Sequence, residues 1–178
     1  MKIINVLLVL FILFVLGACH KEPRIELPEI VELEQTEVYL NGEQVNYNTE
    51  FRYVSVYDTM YYTFSEIVEN QVRVFGVSLL PYSTGSFTLS NNSRNLPNKG
   101  GYTFFSHTIN EDLEGYTYKL VNEEDGFFEV TRLDTVNHIV EGRFKAEFKR
   151  TKKNGNLGLD LEKRLFFQGV FHEKYQVE

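Results

Sequence analysis

From Arg143 to Lys149 the chain reads Arg-Phe-Lys-Ala-Glu-Phe-Lys, and charged and apolar side chains alternate without a break. Successive residues of a strand point to opposite faces, so this pattern sends Phe144, Ala146 and Phe148 into a core and Arg143, Lys145 and Lys149 towards water. A helix would scatter the same three apolar groups around its axis and bury none of them well. The period of two therefore excludes a helix here and sets the expectation for the rest of the chain.

Most of the chain beyond residue 34 repeats that period. Asn41-Gly42 stands between the short apolar runs of "EVYLNGEQV", a hairpin cue because both turn residues must take positive φ. Further strands are expected at Gln71–Leu79, Gly85–Leu89, Tyr102–Thr108, Tyr116–Val121 and Phe127–Leu133, the last burying Val130. The strand Ile139–Lys149 should turn at Asn154-Gly155 into Leu165–Tyr175, whose apolar residues on both faces suit a central position. Met60–Asn70 is the one stretch with a helical alternative, and its run of Tyr, Thr and Phe argues for strand. Ser90–Gly101 is the longest polar stretch and reads as a loop. Fifteen Phe and 11 Tyr among 178 residues, with four Pro and 12 Gly, fit pleated, half-buried surfaces and argue against disorder. The expected fold is all-β: an antiparallel β-sandwich of about ten short strands, with a closed or partly open up-and-down barrel as the alternative.

The N-terminus differs in kind. Ile3 to Leu16 holds Asn5 as its one polar side chain, comes after a single Lys2, and gives way to Gly17 and Ala18. Fourteen residues are too few to span a bilayer comfortably, since a spanning helix needs about 20, but they suit a secretory leader. Leu16-Gly17-Ala18-Cys19 resembles a bacterial lipobox. That resemblance implies cleavage between Ala18 and Cys19 and acylation of Cys19, the sole cysteine of the chain. No second cysteine exists for an internal disulfide, and no base is held beside this one as a catalytic thiol requires. Two or three acyl chains would hold the protein at a membrane without crossing it. The expected organisation is a signal peptide at 1–18, the lipidated cysteine and an extended tether at 19–33, and one all-β domain at 34–178. The formal charge of −7 gives no attraction to phosphate, so nucleic acid is excluded as a partner and anionic lipid offers no electrostatic hold.

Several fragments in order carry a family resemblance. They are the lipobox, Leu27-Pro28, Asn41-Gly42, Gly85-Ser-Phe-Thr-Leu89, Thr131-Arg-Leu-Asp134, Ile139-Val-Glu-Gly-Arg-Phe144 and Phe167-Gln-Gly-Val-Phe171. Together the chain resembles a family of Bacteroidota lipoproteins catalogued as a domain of unknown function, over most of residues 27–175. The family often has a tryptophan after the early turn and Gly-Arg-Phe-Asp near its end. This chain has no tryptophan and reads Gly169-Val-Phe171-His172. The resemblance implies a lipid-anchored domain of the cell envelope, at the outer membrane and facing the periplasm or the surface, and supplies no catalytic residues. His20-Lys21-Glu22 partly resembles a surface-export signal of such lipoproteins. Asp58-Thr59-Met60 and Asp134-Thr135-Val136 match their O-glycosylation pattern, which makes Thr59 and Thr135 the acceptors.

Chemistry is harder to find. The chain carries no serine-nucleophile, phosphate-loop or zinc motif. A tight turn at Asn154-Gly155 would place His138 opposite Phe171 and so beside His172, with Glu141 and Glu173 close by. That arrangement is the one metal-site alternative, against the simpler reading of surface histidines. The basic run Arg143–Lys153, six cations to one acid, reads as the solvated face of a hairpin before it reads as a patch for acidic glycan. The expectation is thus a non-enzymatic module, without cofactor, that binds glycan or envelope protein through loops and exposed tyrosines. The alternatives are a small hydrolase or metal enzyme built on His138 and His172, and a barrel carrying an apolar ligand.

Overall fold

The structure, a computed structural model, describes residues 35–68, 71–92, 100–109, 114–123, 125–154 and 163–178. The leader, Ala18, Cys19 and the tether lie outside them. The described residues form eleven strands and no helix: β1 (Glu37–Leu40), β2 (Glu43–Val45), β3 (Asn48–Val54), β4 (Thr59–Val68), β5 (Gln71–Pro81), β6 (Gly85–Ser90), β7 (Gly100–Ile109), β8 (Glu114–Leu120), β9 (Phe127–Asp134), β10 (Ile139–Asn154) and β11 (Arg164–Val177). The all-β expectation holds. Asn41 and Gly42 both take positive φ, 52° and 87°, in the β1–β2 turn. The Met60–Asn70 stretch is strand through Val68.

The sheet curls until its pairings close. β11 pairs with β3, and the circuit continues through β4, β5, β7, β8 and β10 back to β11. The closing β3–β11 contact is parallel and short, from Phe51↔Tyr175 to Tyr53↔Val177. β6 and β9 form a second route from β7 to β10. β10 is long enough to serve both routes, with β9 along its first half and β8 along its second. β11 is central, as its two apolar faces led one to expect: β10 covers one edge, and β1 and then β3 cover the other.

Aromatic rings fill the space between the walls. Phe64 and Phe75 of one wall meet Phe144 of the other at ring-centroid distances of 4.8 and 5.3 Å, Tyr62 meets Phe128 at 4.5 Å, and Phe51 meets Phe171 at 5.3 Å. Phe144, Ala146, Phe148 and Val130 are all buried, as the alternation predicts. Lys149 is exposed; Arg143 and Lys145 face outward but are half-covered. Arg143 is held by Glu129 across the β9–β10 ladder, and Arg150 lies over the Tyr116 ring, so part of the basic run is committed within the sheet.

One expectation fails. The β10–β11 hairpin does not turn tightly at Asn154-Gly155, since Asn154 is still in β10 and pairs with Gly115 of β8. The β10–β11 ladder runs from Ile139↔Lys174 to Lys149↔Arg164, and Phe171 faces Gly142 instead of His138. The register is displaced by four residues. An even displacement keeps every side chain on its face, which is why the burial pattern survives the wrong register.

Candidate functional site

At one end of the circuit the strand termini bring together side chains far apart in sequence. The β3–β4 turn (Ser55–Asp58), the β9–β10 turn (Thr135–His138) and the end of β11 stand side by side. The backbone fixes this: the Tyr175 amide donates to the His138 carbonyl at 2.9 Å, Ser55 N donates to Glu178 O at 3.0 Å, and Glu178 N donates to Tyr53 O at 2.9 Å. Each turn ends on a residue with positive φ, Asp58 at 50° and His138 at 57°. Asp134 rigidifies the second turn, its carboxylate accepting from the amides of Val136 and Asn137 and from the Asn137 side chain. These bonds, the Asn137 side chain first, hold its pKa below the ordinary carboxylate range.

Inside the mouth so formed, three tyrosines and a histidine pack together. Tyr53 and Tyr82 stack with centroids 3.8 Å apart, Tyr82 meets Tyr175 edge-on, and the His138 ring lies 5.2 Å from Tyr175. The Tyr82 and Tyr175 hydroxyls share a 2.5 Å hydrogen bond, and the Tyr53 hydroxyl donates to Asp58 at 3.1 Å. A bulge in β5 helps to aim Tyr82. The register slips between Met60 and Tyr62, and Leu79 takes a left-handed φ of 63° that a leucine seldom adopts. Burial first, then the hydrogen bond with Tyr82, raises the affinity of Tyr175 for its proton. Burial and the Asp58 bond act likewise on Tyr53. Both phenols thus hold their protons more tightly than an ordinary tyrosine.

Around this mouth stands an apolar rim. Val56 is 82% exposed, Tyr57 68%, Val136 84% and Val177 52%. Of the six large apolar side chains most exposed among the described residues, four are on this one end; Ile67 and Val121 lie elsewhere. Scattered apolar side chains are ordinary on a surface, whereas a concentration of them is not. The one signal for it in the sequence is the presence of valine and tyrosine inside turns that are otherwise polar.

The histidine pair does not form. His138 packs on Tyr175 at the mouth, while His172 lies on the outer face of β11 opposite Glu141. The displaced register causes this. His172 Nδ1 is 3.1 Å from Glu141 Oε1 but poorly aligned for a hydrogen bond, and Glu141 accepts instead from Arg132 at 2.8 Å. Glu173 is taken by the Thr36 hydroxyl. Among the described residues no three His, Cys, Asp or Glu side chains are grouped to hold a metal ion. His107 is in β7 and pairs with Arg73 and Tyr116. The two threonines differ sharply. The Thr59 hydroxyl is buried without a partner, whereas Thr135 is exposed at a turn corner.

No family model matches the chain, and neither a curated protein nor a solved structure is similar to it.

Proposed function

We propose that this chain is a lipid-anchored cell-envelope module of the Bacteroidota lipoprotein type it resembles, and that it binds a partner, without catalysis, through the aromatic end. The anchor rests on Leu16-Gly17-Ala18-Cys19 and the leader before it. The binding reading rests on one observation: the exposed apolar side chains gather around the Tyr53–Tyr82–Tyr175 mouth. Tyrosine is well suited to such contacts because it offers a large rigid face with a polar tip at little entropic cost.

Two measurements test the two halves. Intact-mass analysis of the native protein should give a chain that starts at Cys19 and carries added acyl mass; a retained leader or a cut elsewhere contradicts the anchor. Chemically crosslinked in its own envelope and then denatured, the full-length protein should migrate above the mass of one chain. The Tyr57→Ser/Val136→Ser variant should migrate at that mass while keeping its melting temperature. Co-migration of the two at the single-chain mass contradicts the binding reading.

A further inference from the structure

We propose that the partner held by the aromatic end is a cationic, apolar polypeptide segment, one that presents Arg or Lys beside aliphatic side chains. This rests on the reading of that end as the contact surface and adds the chemistry of what it takes.

The charge around the mouth carries the inference. Asp58, Asp134 and Glu178 are the carboxylates of the two turns and the strand end between them. Lys174 is exposed on the outer face of β11 beside Tyr175, and the two nearby arginines are already shared. Arg52 lies between Glu50 and Glu178, at 3.5 and 3.4 Å, and Arg132 lies between Asp134 and Glu141, at 3.5 and 2.8 Å. Asp58 accepts from the Tyr53 hydroxyl and pairs with no cation among the described residues. It is exposed and adjoins both Tyr57 and the Tyr53–Tyr82 stack. An acid beside aromatic faces is the complement of a guanidinium or ammonium group, which gains a cation–π contact and an ion pair together.

The other occupants fit less well. A neutral sugar would leave Asp58 without a cation and the rim valines Val56, Val136 and Val177 without apolar cover. An anionic bilayer would be repelled by the acids. A second copy placed end to end would set Asp58 and Asp134 against like charges. A polypeptide can satisfy both features, with aliphatic side chains on the valines and a cation on Asp58. The turns are two strand spacings apart, about 10 Å, so the contact is small and should be weak and salt-sensitive.

The test uses the full chain in detergent and a fluorescently labelled synthetic peptide alternating Arg or Lys with Leu and Val. A matched peptide carries Glu in place of each cation. Anisotropy titrations should show binding of the basic peptide that weakens at least tenfold with the acidic one. Asp58→Asn should weaken it about threefold to tenfold and Tyr57→Ser tenfold, with Lys145→Gln, on the outer wall, giving no change. Equal binding of the two peptides overturns the role given to charge. Binding of neutral oligosaccharides or phosphatidylglycerol vesicles, lost in Tyr57→Ser while neither peptide binds, overturns the polypeptide and leaves the contact surface standing. Concentration-dependent dimerisation abolished by Tyr57→Ser would overturn it in favour of a second copy as the occupant. Failure of every probe, together with single-chain migration of the native protein, removes the contact surface itself.

Discussion

The two fragments Gly142-Arg-Phe144 and Gly169-Val-Phe171 lie antiparallel against each other, so that Gly142 faces Phe171 and Phe144 faces Gly169. Each ring covers the glycine opposite, a device that supports a strand position lacking its own side chain. A Cβ on Gly142 would come within 2.0 Å of the Glu129 carbonyl oxygen and 2.4 Å of Phe171 Cζ. The ring cannot turn aside, because it already packs on Phe128 at 4.9 Å and on Phe51 at 5.3 Å. The carbonyl belongs to the β9–β10 ladder, at the bulge between Glu141 and Gly142. Relief therefore requires the two strands to part by about 1.4 Å to reach the normal contact of 3.4 Å. Overpacking usually costs about 1–3 kcal/mol, and a clash with backbone sits at the top of that range. Gly142→Ala should thus lose about 3 kcal/mol, or roughly 10 °C in melting temperature for a domain of this size. Gly126→Ala is the control: its Cβ would meet Leu120 at 3.4 Å and should cost within about 0.5 kcal/mol. Thermal and urea unfolding followed by circular dichroism measure both. A Gly142→Ala melting temperature within about 2 °C of the parent would show this packing picture to be wrong, because no small adjustment clears a carbonyl at that distance.

Phe144→Ala should cost about 3–5 kcal/mol by denaturant unfolding, and its outward neighbour Lys145→Ala no more than roughly 0.5; equal losses would mean the facing is wrong. Burial holds the Tyr62 phenol far above its usual range, and Tyr47 and Tyr175 are raised in the same sense. The folded state keeps protons that the unfolded chain releases near pH 10. Stability should therefore be complete below about pH 9 and decline above about pH 10, by about 1.4 kcal/mol per pH unit for Tyr62; a flat profile to pH 12 contradicts this. Glycopeptide mapping of native material should place any sugar on exposed Thr135 and none on Thr59, whose hydroxyl is buried; modified Thr59 would mean that the sugar is added before β4 folds.

Much of the fold is legible in the sequence because its cues are local. Phe144, Ala146 and Phe148 show their facing within seven residues, and Asn41-Gly42 declares its own turn. β3 escapes such a reading, although Tyr47, Thr49, Phe51 and Tyr53 alternate with Asn48, Glu50 and Arg52, because Val54 and Val56 put apolar residues on the polar side of the pattern. The β10–β11 register is illegible for a deeper reason. β10 is held on one edge by β11 and on the other by β9 and then β8, and no local pattern in β10 encodes which residues of these distant strands it will face. The mouth is a product of closure. Tyr53, Tyr82 and Tyr175 meet because β3 pairs with β11 in parallel, and nothing near any of them announces the other two.

If the aromatic end is where the protein meets its partner, a crosslinker placed there must find that partner in the cell. A photo-crosslinking amino acid at position 57 of the full-length protein, expressed in its source cells, provides the measurement, with position 145 on the outer wall as the reference. Discrete adducts are expected from position 57 and none from position 145, and the adducts from 57 should be lost when Val136→Ser and Asp58→Asn are added. Adducts from position 145 alone, or equally from both positions, would contradict a partner held at the aromatic end.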